Sequence, residues 1–386
     1  MRIGIDASNL RAGGGVTHLV QVLRAARPEE LGIEKLVVWT GENTFARLPN
    51  IPWIERVHVP LLDRALPFRL YWQTVQLPKL ARRSCDVLFV PGGLYQGNFR
   101  PVVTMCRNML PFAEDERRRY GLSGMRLKLR WLKKSQTKSF RNADGVIFLN
   151  KHVQSVVTEQ TGTLRGKQTI IPHGVDERFR LTPRLQKPIR DFSSASPFRI
   201  LYVSIVDVYK HQWHVADAVA RLRKERLPIE LELIGGAYPP ALKRLRAVIE
   251  RIDPGEQFIH YRGFVPYADL PRHYHRTDAF VFASSCENMP NILLEAMAAG
   301  LPIACANRGP MPEILGNAGT YFDPEDPESI AVALRKLILD SALRQVFAEN
   351  AYQSALSFSW QRCARETLAF IADVAESVQK QNVQLQ

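Results

Sequence analysis

The stretch Asp278-Ala-Phe-Val-Phe-Ala-Ser-Ser-Cys-Glu-Asn-Met-Pro-Asn-Ile-Leu-Leu-Glu-Ala-Met-Ala-Ala-Gly-Leu-Pro302 decides how the rest of the chain is read. Asp278 to Ala283 is a short apolar, aromatic-rich run, which predicts a buried strand. Ile292 to Ala299 is built of strong helix formers and stops at Gly300-Leu301-Pro302. Pro290 suits a first helical turn, where its missing N–H has no partner to lose. The stretch is therefore strand, loop, helix, with Glu287 on the loop and Glu295 within the helix. The opening turn of such a helix presents free N–H groups and the positive end of its dipole, which favour a phosphate. A loop carboxylate can accept hydrogen bonds from sugar hydroxyls, and one further along the helix can reach a ribose diol. A sugar nucleotide has those parts in that order. Two ordinary solvated acids near a helix start would show the same spacing.

Working outward, the alternation of strand and helix repeats. Phe198–Val203, Ile229–Ile234 and Phe258–His260 read as strands, and Gln212–Arg226, Pro240–Ile252 and Ala268–His275 as helices. Beyond the opening stretch, Ile303–Cys305 and Gly319–Phe322 add strands. Pro327–Leu339, Ala342–Leu356 and Trp360 to about Gln379 add helices. Residues 183–197 hold Pro183, Pro188, Ser193, Ser194, Ser196 and Pro197 with no apolar period, which predicts a linker.

Ahead of that linker the pattern runs a second time. Strands are predicted at Arg2–Ala7, Lys35–Trp39, Ile54–Val59, Asp86–Val90, Pro101–Met105, Gly145–Leu149 and Thr169–Pro172, and a helix at Pro67–Arg83. Gly13-Gly14-Gly15 precedes a helical period from Val16 to Arg27, so a glycine turn lies between strand and helix. Such a turn lets backbone approach a phosphate closely. No G-x-G-x-x-G occurs, which disfavours a nicotinamide dehydrogenase. Short strands alternating with helices imply an α/β chain of two doubly wound, mostly parallel sheets.

A length of 386 residues suits two domains, and 46% hydrophobic with 23% charged content is that of a soluble globular protein. No run approaches the ~18 apolar residues of a membrane span. The acid in Met1-Arg-Ile-Gly-Ile-Asp6 interrupts what an export signal would need. Five scattered cysteines (Cys85, Cys106, Cys286, Cys305, Cys363) without C-x-x-C point to a reducing cytosol rather than a zinc or disulfide framework. Cys286 reads as a small buried residue at a strand end. A net charge of +14 predicts an anionic partner. Residues 117–141 concentrate that charge in Arg117, Arg118, Arg119, Arg126, Lys128, Arg130, Lys133, Lys134, Lys138 and Arg141. Leu122, Met125, Leu129 and Leu132 fall on one stripe, with Trp131 at its edge. That segment is open to three readings: an amphipathic helix on an anionic membrane, a core-packed helix with a solvated basic face, or a nucleic-acid contact.

Two doubly wound halves with this acidic pair in the second resemble the retaining family-4 glycosyltransferases (glycosyl transferases group 1) of GT-B fold. The resemblance is most specific over about 198–327. Glu287 to Glu295 matches the family's E-x7-E, and Glu295-Ala-Met-Ala-Ala-Gly-Leu-Pro302 resembles its E-A-M-A-x-G-x-P. Phe264-Val265 resembles the loop at the nucleobase. Pro312-Glu313-Ile314, Ala318-Gly319 and Asp323-Pro324 match later signposts, and Pro172-His173-Gly174-Val175-Asp176 resembles N-G-V-D. Phe358-Ser359-Trp360 resembles the start of the family's final helix. The resemblance implies two Rossmann-like domains facing a central cleft, over 1–182 and 198–362, joined by 183–197. It also implies that a helix over about 363–386 packs back on the first domain.

By position, the resemblance gives Glu295 the ribose diol and Glu287 the transferred sugar. It gives the backbone of Asn288, Met289, Pro290 and Asn291 the sugar hydroxyls and diphosphate, and Lys210 the diphosphate. Val265 falls at the base, and Gly14 and Gly15 at the glycines that let the first domain close on the donor. Three departures stand out. Ile205 occupies the place of an arginine often paired with that lysine. Asn288-Met289-Pro290 replaces Gly-Phe-Gly after Glu287. Arg107 and Asn108 stand where the family has a histidine near the reacting carbon; Arg107, a candidate catalytic residue with Glu287 and Lys210, can bind phosphate or an acidic acceptor, or be an ordinary surface arginine. His18, beside the glycine loop, reads as a helix-face residue.

The expectation is a metal-independent, retaining hexosyltransferase without a cofactor. It would take a UDP-sugar first and GDP-mannose next, and pass the sugar to a lipid-linked or polysaccharide acceptor in bacterial cell-surface glycan synthesis. It would be cytoplasmic, with the basic segment resting on the inner face of the membrane. The rivals are a sugar-nucleotide epimerase of the same fold, which needs no acceptor, and a nucleic-acid-binding protein. The second lacks stacking platforms and a recognition module in this sequence.

Overall fold

Strands buried on both faces require helices above and below them, and the chain meets that requirement twice. The computed structural model describes residues 1–11 and 13–384. In order come β1 (Arg2–Asp6), α1 (Gly14–Ala25), β2 (Lys35–Thr40), α2 (Glu42–Phe45), β3 (Ile54–His58), α3 (Leu66–Tyr71), α4 (Leu77–Ser84), β4 (Val87–Val90), β5 (Val102–Met105), α5 (Glu114–Arg118), α6 (Gly124–Asn142), β6 (Gly145–Phe148), α7 (Lys151–Thr161) and β7 (Lys167–Ile170). The strands form one parallel sheet in the order β3-β2-β1-β4-β5-β6-β7. The helix predicted over Pro67–Arg83 is α3 and α4 joined by a π-helical turn, Trp72–Gln76. From that turn the buried Gln73 amide donates to Asp6 Oδ2 (2.8 Å), Ser8 Oγ (2.9 Å) and the Leu94 carbonyl (3.0 Å). β7 sits slightly earlier than predicted, because it pairs with β6 as Gly145↔Lys167 through Phe148↔Ile170.

The second sheet is built from β8 (Phe198–Val203), α8 (Gln212–Lys224), β9 (Ile229–Ile234), α9 (Pro239–Ile252), β10 (Ile259–Tyr261), α10 (Leu270–His275), β11 (Ala279–Phe282), α11 (Asn291–Ala298), β12 (Ile303–Ala306), α12 (Met311–Leu315), β13 (Gly319–Phe322), α13 (Pro327–Leu339) and α14 (Ser341–Ala355). Its strands are parallel in the order β10-β9-β8-β11-β12-β13. The last helix is α15 (Trp360–Gln384).

The chain divides into two units. One holds Met1–Phe112, Ser123–Gly174 and the residues from Ser359 onward; the other holds Ala113–Leu122 and Val175–Phe358. α15 thus belongs with the first sheet and packs on α1, burying Cys363, Thr367, Leu368, Ile371 and Val374. β6 offers it a glycine: a Cβ on Gly145 would stand 2.8 Å from Val374 Cγ2 and 3.0 Å from a Phe370 ring carbon. Residues 385 and 386 of the predicted terminal helix lie outside the described residues.

Two sequence expectations need correction. The stretch 183–197 belongs to the second unit instead of hanging between units. Arg344, wholly buried, donates to the Lys187 carbonyl and to Gln186 Oε1 (3.2 Å), and also to the Ile338 carbonyl (2.7 Å). A prolyl, seryl composition hides such stitching, because the partner comes from another element. The basic segment 117–141 is also not one helix. Arg117 and Arg118 end α5, and Arg119 is bound to Glu116 (2.7 Å) and Glu325 (2.8 and 2.5 Å) within the second unit. The helix itself is α6, capped by Ser123 Oγ, with Leu129, Ser135, Gln136, Ser139 and Phe140 on its buried face. Leu127 and Trp131 stay exposed among its basic residues.

Candidate active site

In a parallel sheet that winds both ways from its middle, the loops after the two central strands part and leave a crevice at their carboxyl ends. In the second unit those strands are β8 and β11, and their loops carry Lys210 and Glu287. One backbone bond joins the two loops, and a side chain of β8 holds the first of them. Ser285 N–H donates to the Tyr209 carbonyl (2.9 Å), and the Tyr202 hydroxyl donates to the Lys210 carbonyl (2.6 Å). His211 holds a left-handed backbone (φ 52°), and its Nε2 meets Ser285 Oγ at 2.9 Å. Burial pushes the His211 pKa down to about 3, so the ring is neutral. Lys210 is 4% exposed, and its ammonium donates to the Glu287 carboxylate. The ammonium also stands 5.0 Å from the Tyr209 ring centroid and 5.5 Å from that of Phe282. A lysine buried this far needs a counter-charge and polarizable faces, and it has both.

Pro290 is the N-cap of α11 rather than a residue of its first turn. Asn288 and Met289 before it are buried, so the replaced Gly-Phe-Gly segment lines the interior of this loop. Glu295, in a helix otherwise apolar over Leu293–Ala298, is 4% exposed. It accepts from the hydroxyls of Tyr267 (3.1 Å) and Tyr274 (3.2 Å). Burial pushes its pKa up to about 7; the two phenols pull against that, Asp176 adds to it, and Arg178 opposes it. Phe179 wedges the cage from behind, 5.5 Å from the Tyr267 ring and 5.3 Å from that of Tyr274. Arg178, bound to Asp176 at 3.0 and 2.8 Å, lies over the Tyr267 ring at 5.3 Å. The sequence reading missed Tyr267, Tyr274 and Arg178. The available clue was a lone acid in an apolar helix, which requires hydroxyl or cationic partners. Val265 is half-buried beside an exposed Phe264, and Ile205 is exposed, with its carbonyl bound to the Gln212 amide (2.9 Å).

In the first unit Gly14 opens α1, and Gly13 before it holds φ 66°. Arg107, after β5, donates through a terminal nitrogen to the Gly15 carbonyl at 3.0 Å. A Cβ on Gly15 would stand 3.1 Å from that nitrogen, so the glycine makes room for the guanidinium. Burial pulls the Arg107 pKa down to about 10. Asn108 is exposed, and its Oδ1 accepts from the Leu110 N–H (3.1 Å). His18 is wholly buried: its ring lies 4.7 Å from His173 and 5.7 Å from Trp360, and burial drives its pKa well down. It packs α1 against α15. Cys286 is buried, with a thiol pushed well above its usual pKa.

Both halves of the chain match models of known glycosyltransferase families. Residues 188–354 match the model of the glycosyl transferases group 1, and residues 12–179 match that of glycosyltransferase family 4. A curated relative, the O-antigen chain mannosyltransferase B of Escherichia coli, is 34% identical over 29% of this chain and 30% of its own. The chain spans about half the length, or less, of the leading curated relatives it matches. Sucrose-phosphate synthase from Thermosynechococcus elongatus superposes with a TM-score of 0.74 at 16% identity, covering 100% of both chains. HepE from Anabaena, solved in complex with UDP-glucose, superposes at 0.69 with 18% identity, over 98% of this chain and 100% of that one.

Proposed function

The chain belongs to the glycosyl transferases group 1, and on that premise we propose that it moves a hexose from a nucleotide-sugar donor to an acceptor hydroxyl. The observation that carries the reading is the meeting of Lys210 and Glu287 at the switch point of the second sheet, with Glu295 held in its tyrosine cage on the helix that follows. Glu295 accepts from the ribose diol. Lys210 and the N–H groups opening α11 take the diphosphate, and Glu287 takes the hydroxyls of the sugar. Val265 lies at the base, and Asn288, Met289, Pro290 and Asn291 shape the sugar pocket. Gly14 and Gly15 leave backbone free to meet phosphate, and Arg107 serves an anionic group of donor or acceptor.

The reaction breaks the bond from the anomeric carbon to the diphosphate and forms one to the acceptor oxygen. The acceptor proton passes to the departing phosphate oxygen, on the same face, so configuration is retained. Lys210 and the α11 N-terminus offset the charge that builds on the leaving group, and no metal is invoked. A uridine donor is supported by the UDP-glucose complex of HepE, and a mannosyl donor by the mannosyltransferase relative. The same relative supports a lipid-linked or polysaccharide acceptor in cell-surface glycan synthesis. Among the described residues no helix is long and apolar enough to cross a membrane, and α6 is proposed to rest on an anionic one at its inner face.

A thermal-shift panel of UDP, GDP, ADP and their sugars tests the donor site, since ligand bound to the folded state raises the melting point. A flat response across the panel overturns it. NMR of the product's anomeric centre tests the stereochemistry, and inversion overturns retention.

A further inference from the structure

Residues 113–122 follow β5 of the first unit and lead back into it at α6, yet they belong to the second unit. Two anchors fix them there. Arg119 holds Glu325 through both terminal nitrogens (2.8 and 2.5 Å) and Glu116 through Nε (2.7 Å). The next residue, Tyr120, is 8% exposed; its hydroxyl donates to Asp207 Oδ1 at 3.1 Å, and its ring lies 5.9 Å from that of Tyr238.

Asp207 opens the turn that carries Lys210. Its carbonyl accepts from Lys210 N–H (3.0 Å), and its Oδ1 also accepts from Val208 N–H (2.7 Å). Val206 before it is bridged to the loop after β9: its N–H donates to the Gly236 carbonyl (2.8 Å), and its own carbonyl accepts from Tyr238 N–H (2.9 Å). Tyr120, Tyr238 and the 206–210 turn therefore form one unit of structure. A half-buried carboxylate beside a lysine that meets diphosphate is a hazard. It repels the ligand and competes for the cation unless its lone pairs are engaged elsewhere. The Tyr120 hydroxyl and the Val208 N–H both engage Oδ1 and so fix how the carboxylate is turned.

We propose that Tyr120 is a positioning residue of the donor site: through Asp207 it sets the turn that presents Lys210, with Arg119–Glu325 as the latch that keeps the segment in place. This rests on the reading of Lys210 as the diphosphate lysine. It gives the segment a function that its sequence, a short acidic-then-basic run between two elements of the other unit, does not suggest.

The test is a double-mutant cycle on nucleotide affinity, with UDP and GDP titrated calorimetrically into the full chain. Tyr120→Phe keeps the ring against Tyr238 and removes only the hydroxyl. It should weaken the preferred nucleotide roughly three- to tenfold, the worth of one hydrogen bond. In an Asp207→Ala background the same change should do almost nothing, because the acceptor of that hydroxyl is gone. With donor sugar, the loss should fall on KM, with kcat at saturation kept. Glu325→Gln releases the latch without touching Asp207 and should weaken the same nucleotide in the same direction. Unchanged affinity in both Tyr120→Phe and Glu325→Gln overturns the proposal, as does an equal loss with and without the Asp207 carboxylate. Wild-type protein that binds neither nucleotide overturns the donor-site reading on which it rests, a result distinct from either.

Discussion

Lys210 and Glu287, 77 residues apart, form an ion pair in the crevice between the loops after β8 and β11. Each is the other's counter-charge, yet each is assigned a different part of the donor. A diphosphate reaching Lys210 must compete with Glu287 for the ammonium. Glu287→Gln keeps the shape and removes the competing charge. It should bind a nucleoside diphosphate about three- to tenfold more tightly, about 0.7–1.4 kcal/mol, while sugar transfer falls. Lys210→Ala should lose nucleotide affinity and also stability, by about 3 kcal/mol, because it strands a largely buried carboxylate. Adding Glu287→Gln to it should restore the stability and not the affinity. Calorimetric titration beside urea melts separates the two effects. A Glu287→Gln protein that binds UDP or GDP more weakly than wild type removes the idea of competition.

With Glu295 at the ribose, as proposed, nucleotide binding should depend on pH. Burial raises the Glu295 pKa from the ordinary carboxylate value of 4.5 to about 7. The folded chain therefore holds a proton there that the unfolded chain has already lost between pH 4.5 and about 7. The stability this group contributes is full below the lower value and fades as pH rises through the upper one. Nucleotide binding has the opposite sign, since a ribose diol donates best to the ionised carboxylate. Affinity should climb as pH rises through 7 and level off above it. Glu295→Gln should be weaker and flat over the same range. A wild-type profile without a step near neutrality would separate Glu295 from the ribose.

Gly15 and Arg107 are matched in the first unit. A methyl group at Gly15 would stand 3.1 Å from the Arg107 terminal nitrogen and 3.1 Å from Leu10 Cδ2. Crowding of that kind costs about 1–3 kcal/mol, whereas alanine in place of a helical glycine returns about 0.5–1 kcal/mol. Gly15→Ala should therefore destabilise by about 1 kcal/mol net and lower activity, because the loop can no longer approach a phosphate. In an Arg107→Ala background the cost should shrink towards zero. Equal costs in the two backgrounds, measured by urea melts, would mean that the guanidinium does not confine the loop.

The fold was legible because strand and helix periods alternate cleanly, and each predicted strand appears within a few residues of its place. Glu287, Glu295 and Lys210 stand in local motifs that sequence alone can single out, and folding brings Lys210 to Glu287. What surrounds them was not legible. Tyr267 and Tyr274 reach Glu295 from the segment before β11, and no spacing rule joins an acid to phenols 28 and 21 residues upstream. Arg119 counted as surface charge in a window of basic residues, but only folding brings Glu325 to it. Residues 183–197 carry every mark of a linker except Arg344, which lies in α14 and binds them to the second unit. The same limit applied to His18: its helical period is plain, and its burial under Trp360 is not.

The basic helix offers the last prediction, sharpened by which of its residues face outward. Leu129, Gln136 and Phe140 turn into the first unit, while Leu127 is 70% and Trp131 39% exposed. Leu127, Trp131, Lys134 and Lys138 follow one another at helical spacing, so a single stripe offers two apolar anchors and two ammonium groups. On an anionic surface each cation is worth about 1 kcal/mol, and the aromatic ring sits at the headgroup level. The protein should float with vesicles containing phosphatidylserine or cardiolipin and detach as salt rises. Replacing Lys134 and Lys138 by glutamine should cut that partition roughly ten- to thirtyfold. Trp131→Ala should weaken the part of the binding that salt leaves behind. Arg119 is committed to Glu116 and Glu325, so its replacement should leave flotation unchanged even where it alters nucleotide binding. Equal flotation with neutral vesicles, or indifference to the lysine changes, would return α6 to the role of a packed helix with a solvated face.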